Sequence, residues 1–196
     1  AMAFVGGGEG ALILAGCDSP VVAEGDRLGS GREDRSNDDA WRIEKRRASD
    51  GRLVAEFGDG GIIRVDPSPF NDEINAIVLD AGRGHFFLAG WDRVCGRSDR
   101  QWRIEKRRLD TGAPVESFGA AGVIQENPSA LNDVPAAMVG DPSSGHLFLS
   151  GWDNSAGSKR WRIEKRRMSD GGLVEGFGRG GVLAFDPSAD NDVPKA

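Results

Sequence analysis

Short apolar runs alternate with Gly-rich polar breaks along the chain, and one order of runs occurs three times. The first run is Ala3-Phe4-Val5, Ala76-Ile77-Val78-Leu79 and Ala136-Ala137-Met138-Val139. A Gly-containing turn of the hairpin type leads to the second: Leu12-Ile13-Leu14-Ala15-Gly16, Phe86-Phe87-Leu88-Ala89-Gly90 and Leu147-Phe148-Leu149-Ser150-Gly151. Both are apolar at successive positions, as in a strand covered on two faces. The third run is the heptad Trp-Arg-Ile-Glu-Lys-Arg-Arg, unchanged at Trp41–Arg47, Trp102–Arg108 and Trp161–Arg167. It alternates, so Trp102, Ile104 and Lys106 share one face and Arg103, Glu105 and Arg107 the other. The fourth is Gly61-Ile62-Ile63-Arg64-Val65, Gly122-Val123-Ile124-Gln125 and Gly181-Val182-Leu183-Ala184-Phe185.

The heptads stand 61 and 59 residues apart, which divides the chain into repeats at 1–69, 70–130 and 131–189. The tail, 190–196, repeats the linker between them, and each repeat closes on an Asn-Asp pair: Asn71-Asp72, Asn132-Asp133, Asn191-Asp192. Four strands whose polarity rises from first to last predict the blade of a β-propeller, with inner strands sandwiched between neighbours. The predicted fold is all-β: three four-stranded antiparallel blades in a single repeat domain. Phe57, Phe118 and Phe177 hold one register position and are expected to be equivalent buried anchors.

The strings Trp-x-Ile-x-Lys, Asp-Gly-x-Leu-Val-x-x-Phe-Gly-x-Gly-Gly-Val and Leu-x-Gly-Trp resemble the delta-60 repeat of bacterial proteins. Phe57–Gly61 and Phe177–Gly181 carry the most specific part. The second repeat departs from it at Phe118-Gly119-Ala120-Ala121-Gly122, and the first at Gly16-Cys17. The resemblance implies propeller-like blades in a secreted or surface-exposed bacterial protein. It supplies an architecture without catalytic residues.

Charge refines the picture. Each heptad holds four basic and one acidic residue, so the three carry +9 and the rest of the chain −15, within a net −6. Basic strands in an acidic frame suggest pairing with acidic loops inside the molecule, whereas a nucleic-acid binder shows a net basic face. Solvated strand ends are the expectation for Lys45, Arg46, Arg47 and their counterparts, ahead of phosphate or polysaccharide binding. No apolar run approaches the roughly 18 residues of a membrane helix, so membrane insertion is not expected. The start, Ala-Met-Ala-Phe-Val, fits either a removed export signal or an excised piece.

Little in the chain points to catalysis. His85 and His146 are periodic and read as strand-edge residues; no nucleophile elbow, His-x-x-x-His pair or phosphate loop occurs. No cofactor or metal is implied. The Asn-Asp pairs read as turn caps rather than calcium ligands. Cys17 and Cys95 form one bridge or remain two thiols, and the thiols are the simpler reading. The loop between the second and third runs has 22, nine and seven residues in turn, and the long one (19–40) reads as functional or disordered.

Two tryptophans and an aspartate flank that loop in the complete repeats: Trp91, Asp92 and Trp102, then Trp152, Asp153 and Trp161. Indole faces stack on sugar C–H groups and carboxylates accept hydroxyl bonds, so these six are the candidate carbohydrate site. The competing reading wedges the indoles between blades, with their N–H groups bonded within the sheet. The functional expectation is a non-enzymatic propeller that binds or assembles, with a repeat lectin as the alternative. Three blades are too few for a ring of about four to eight. The expected partner is therefore a second chain completing six blades, or further repeats of a longer one.

Overall fold

The computed structural model describes residues 1–6, 10–19, 39–94, 99–155, 157–188 and 190–194. Their strands form three four-stranded antiparallel sheets, each a meander. Sheet I contains β1 (Met2–Val5), β2 (Ala11–Asp18), β3 (Ala40–Arg47) and β4 (Ile62–Val65). Sheet II contains β5 (Glu73–Asp80), β6 (His85–Arg93), β7 (Arg100–Arg108) and β8 (Val123–Glu126). Sheet III contains β9 (Val134–Asp141), β10 (His146–Asp153), β11 (Arg160–Arg167) and β12 (Val182–Phe185). Each repeat thus builds one sheet, and the heptad is its third strand. The long loop lies almost wholly outside the described residues, as does Cys95; Cys17 is a free, exposed thiol.

Alternation in the second strand sets how the sheets stack. Phe86 and Leu88 of β6 face sheet I and join Ile13, Ala15, Trp41, Ile43 and Phe57 in one buried cluster. The intervening Phe87 and Ala89 face sheet III, packing with Trp102, Ile104, Phe118, Leu147 and Leu149 in a second. A strand apolar at every position is required because both of its faces are inside. The core is accordingly two layers, one at each joint between consecutive sheets, and each sheet buries a face only by leaning on its neighbour.

The two ends of the stack differ from its middle. Phe57 and Phe118 are fully buried, as expected of anchors, but Phe177 is only half-buried because no further sheet covers it. Leu183 and Phe185 on β12 are exposed on the same sheet, and Met2 and Phe4 on β1 at the other end. Equivalence by sequence therefore does not give equivalence of environment.

Linkers between sheets are tied locally. The backbone N–H of Ser68 and its hydroxyl donate to the two carboxylate oxygens of Asp72, at 3.1 and 2.7 Å. Ser129 with Asp133 and Ser188 with Asp192 repeat the arrangement. The Asn of each pair accepts a bond from the residue entering the third strand: Asp39 to Asn71, Arg100 to Asn132, Lys159 to Asn191. These pairs cap turns, in line with the composition of the linker.

Candidate functional site

The heptad is where the sheets meet, and each of its faces serves a different joint. On the face turned to the following sheet, Trp41 is fully buried and lies over Gly90: a side chain there would stand 2.8 Å from indole Cζ2. Trp102 is placed likewise over Gly151, at 2.7 Å. The guanidinium of Arg103 lies 5.5 Å from the Trp41 ring, and that of Arg162 5.9 Å from the Trp102 ring, both within cation–π range. Two residues further, Ile43 and Ile104 belong to the joint clusters. At the end of that face, Lys45 Nζ donates to the carbonyl of Leu109 and Lys106 Nζ to that of Met168, both at 2.8 Å.

Two further contacts recur at each joint. The N–H of Gly58 donates to the carbonyl of Thr111 and that of Gly119 to Asp170, both at 2.9 Å. Phe57 and Ile63 close on Gly112, and Phe118 and Ile124 on Gly171, leaving no room for a side chain at either glycine. These glycines also have φ of 74° and 79°, a backbone that L side chains rarely adopt, so two requirements select them.

The opposite face of the heptad is an ion-pair ladder. Arg103 Nε and Arg107 Nε each donate at 2.7 Å to one oxygen of Glu105, and Arg103 Nη1 reaches Asp92 at 3.0 Å. Arg107 Nη1 donates onward to the carbonyl of Gly112, and Gln125 to Asp92. Arg162, Glu164 and Arg166 form the same ladder in sheet III, with Arg162 3.6 Å from Asp153. In sheet I, Arg42, Glu44, Arg46 and Asp18 do so with open access to water: the Glu44 side chain is 15% exposed against 1% for Glu105. Burial pushes the Glu44 carboxyl up, and the Arg42 and Arg46 bonds outweigh it, leaving the group below its ordinary range.

The first two arginines of each heptad are therefore neutralised from within the heptad and from the adjacent strand, and the last by an acidic turn as expected: Arg47 by Asp50, Arg108 by Asp110 and Arg167 by Asp170. In sheets II and III the ladder arginines are covered rather than solvated, because each ladder lies beneath the preceding sheet's tryptophan, while Arg108 and Arg167 at the strand ends stay exposed as expected. Arg-x-Glu-x-Arg at two-residue spacing was the readable signal for this, since period two puts all three on one face.

The six residues expected to face a sugar are placed differently. Trp91 is 4% exposed and Trp152 7%, and they cluster with Val134. The guanidinium of Arg100 covers the Trp91 ring at 4.0 Å, and the ammonium of Lys159 covers Trp152 at 4.2 Å. Trp91 Nε1 donates to Glu73. Trp102 is buried in a joint, Asp92 and Asp153 are fully buried in the ladders, and only Trp161 retains partial exposure. A pyranose has no open pair of ring faces to stack on here, so the structure does not assemble the carbohydrate site read from the sequence. The alternative needs one amendment too: the N–H groups of Trp41 and Trp102 are buried without an acceptor. Sequence reasoning missed the contacts that Lys45, Lys106, Gly58, Gly119, Gly112 and Gly171 make across a joint.

His146 bonds Ser144, and His85 opens β6 opposite Asp80, both as strand-edge residues. Burial, then the charge of Lys106, lower the His85 pKa. Among the described residues no group of three or more His, Cys, Asp or Glu could hold a metal ion.

Asp72 is a carboxyl poised to titrate near neutrality, and burial raises Asp133, its counterpart, in the same direction. Burial raises the Asp72 carboxyl to about 7 against the Ser68 bonds that favour the charge. A raised carboxyl binds a proton more readily folded than unfolded, so its contribution to stability is full below about pH 4. It is lost as pH rises through about 7. Glu44 and Asp153 act at the acid end instead: in Asp153 the bonds from Ser155 and Arg160 overcome burial and hold it low. Asp72→Asn should flatten the fall in denaturation midpoint between pH 5 and 8. An unchanged slope in that variant would assign the titration elsewhere.

Comparison with family models, curated proteins and solved structures finds no match for this chain.

Proposed function

We propose that the chain is a non-enzymatic assembly and binding module, three blades of a β-propeller in a bacterial secreted or surface protein. One observation carries this reading: both faces of the repeated heptad are engaged in joining consecutive sheets, through Trp41, Lys45 and the Arg103–Glu105–Arg107 ladder at the first joint. A sequence held constant for joining is what a stacking architecture demands, because each unit must present the same plug and socket. The resemblance to the delta-60 repeat agrees with it. Open end faces agree as well, since three blades fall short of the roughly four to eight that close a ring.

The test is a tandem chain in which two copies are joined tail to head, keeping the Asn191-Asp192 linker register. If the sheets are propeller blades, the tandem should be a compact monomer of about 42 kDa, twice the 20.9 kDa of one chain. Electron micrographs should show a ring with a central channel. An extended tandem, or one that aggregates through uncovered faces, would overturn the propeller reading.

A further inference from the structure

We infer that the occupant of both end faces is a second copy of this chain, docked head to tail so that sheet III of each covers sheet I of the other. The inference rests on the assembly reading above and names its partner. Its basis is the contact grammar shared by the two joints, which leaves one unfilled half at each end of the molecule.

Sheet III presents the plugs. Trp161, Lys165, Phe177, Gly178 and Leu183 hold the positions of Trp102, Lys106, Phe118, Gly119 and Ile124, and no sheet stands beyond them. Val139, counterpart of the Val78 that packs on Gly140, is 65% exposed.

Sheet I presents the sockets. Gly16 corresponds to Gly90 and Gly151, yet among the described residues a side chain added there would meet nothing within 4 Å, where the other two carry an indole. Gly51 corresponds to Gly112 and Gly171 and is equally open, where those carry a phenylalanine. The ladder of Arg42, Glu44 and Arg46 lies uncovered, where its counterparts lie beneath a tryptophan. Phe4, at the register position of Gly140, is 60% exposed. The grammar of the first two joints then sets the third. Trp161 enters above Gly16 and Arg42, Phe177 above Gly51, and Val139 against Phe4. Lys165 donates to the carbonyl of Ala48, and the Gly178 N–H to that of Asp50.

A heterologous contact closes only if its rotation returns to the start. Two copies of three blades make six, within the closed range, and give a two-fold axis along the channel. The apolar faces left open by one copy are those that soluble monomers rarely expose as contiguous patches.

The experiment is light scattering on the 196-residue chain and two variants, at about tens of micromolar, a range where standard-sized interfaces associate. The wild type should give about 42 kDa, twice 20.9. Gly16→Phe fills the socket in open space, so it should keep the circular dichroism of the wild type and fall to 20.9 kDa. Trp161→Ala removes the plug and should also dissociate. Mixing the two variants should restore a dimer, since the tail of one and the head of the other are intact. A folded wild-type monomer, a Gly16→Phe dimer as stable as the wild type, or a mass climbing past two chains would each overturn the inference. A monomeric wild type beside a closed tandem ring would sink only the second copy; an unclosed tandem would remove the assembly reading too.

Discussion

Replacing Trp102 by alanine should destabilise the chain on the order of 3–5 kcal/mol, the range for a fully buried indole truncated in a packed core. The indole fills the space between Ile104 and the backbone at Gly151, and a glycine has no side chain with which to close the hole. Its buried N–H lacks an acceptor, so removing that group returns part of the loss, about 1–3 kcal/mol for an unsatisfied donor. The expected figure therefore sits toward the lower part of the range. Trp161→Ala removes the same residue from the same heptad, yet in a Gly16→Phe background, which blocks the proposed pairing, it should cost clearly less, because that ring is partly exposed and packs only on its own sheet at Phe185. Chemical denaturation measures both. Equal losses would show that the joint adds nothing to what the indole contributes within its own sheet.

Glu105→Ala should be comparably damaging for an electrostatic reason. Its two carboxylate oxygens each hold one guanidinium, and both arginines are themselves covered. Removing one partner from a buried network leaves uncompensated charge and costs about 3–5 kcal/mol. Glu44→Ala deletes the identical residue from a ladder whose arginines reach water, and exposed pairs are worth about 0–1 kcal/mol. The comparison belongs in the same Gly16→Phe background, which blocks the proposed docking of a second chain over Glu44. A Glu105 loss no larger than the Glu44 loss would show that water reaches the inner ladder.

Three copies of one seven-residue string make the repeat boundaries legible without a structure. Four strands per repeat are legible too, since each run is bounded by Gly-rich turns and the heptad alternates. What a face meets is a different kind of information. Period two says that Trp102, Ile104 and Lys106 share a side; it does not say whether a sheet or solvent lies there. Tryptophans next to arginines read the same at a loop edge as in a joint, which is why Trp91, Trp152 and Trp102 looked available to a ligand. Gly90 and Gly151 read as strand ends, whereas they are the sockets for the Trp41 and Trp102 indoles. Phe177 shows the converse: its sequence position is that of a core anchor, and only the order of sheets leaves it half-covered.

The bonds from Asp39, Arg100 and Lys159 to Asn71, Asn132 and Asn191 all span 32 residues. The return contacts, from the N–H of Asp72, Asp133 and Asp192 to the carbonyls of Asp39, Arg100 and Lys159, close the same frame. Each frame begins at the end of the loop that differs in length among the repeats, so the heptad, the glycine turns and the fourth strand are measured from a fixed mark downstream of the variable part. A change of length in that loop leaves the spacing of the plugs within each frame as it is. Selection can thus rewrite one segment of each repeat freely while the heptad stays constant, which makes the chain an interchangeable-part design: a standard fitting with a bespoke tip.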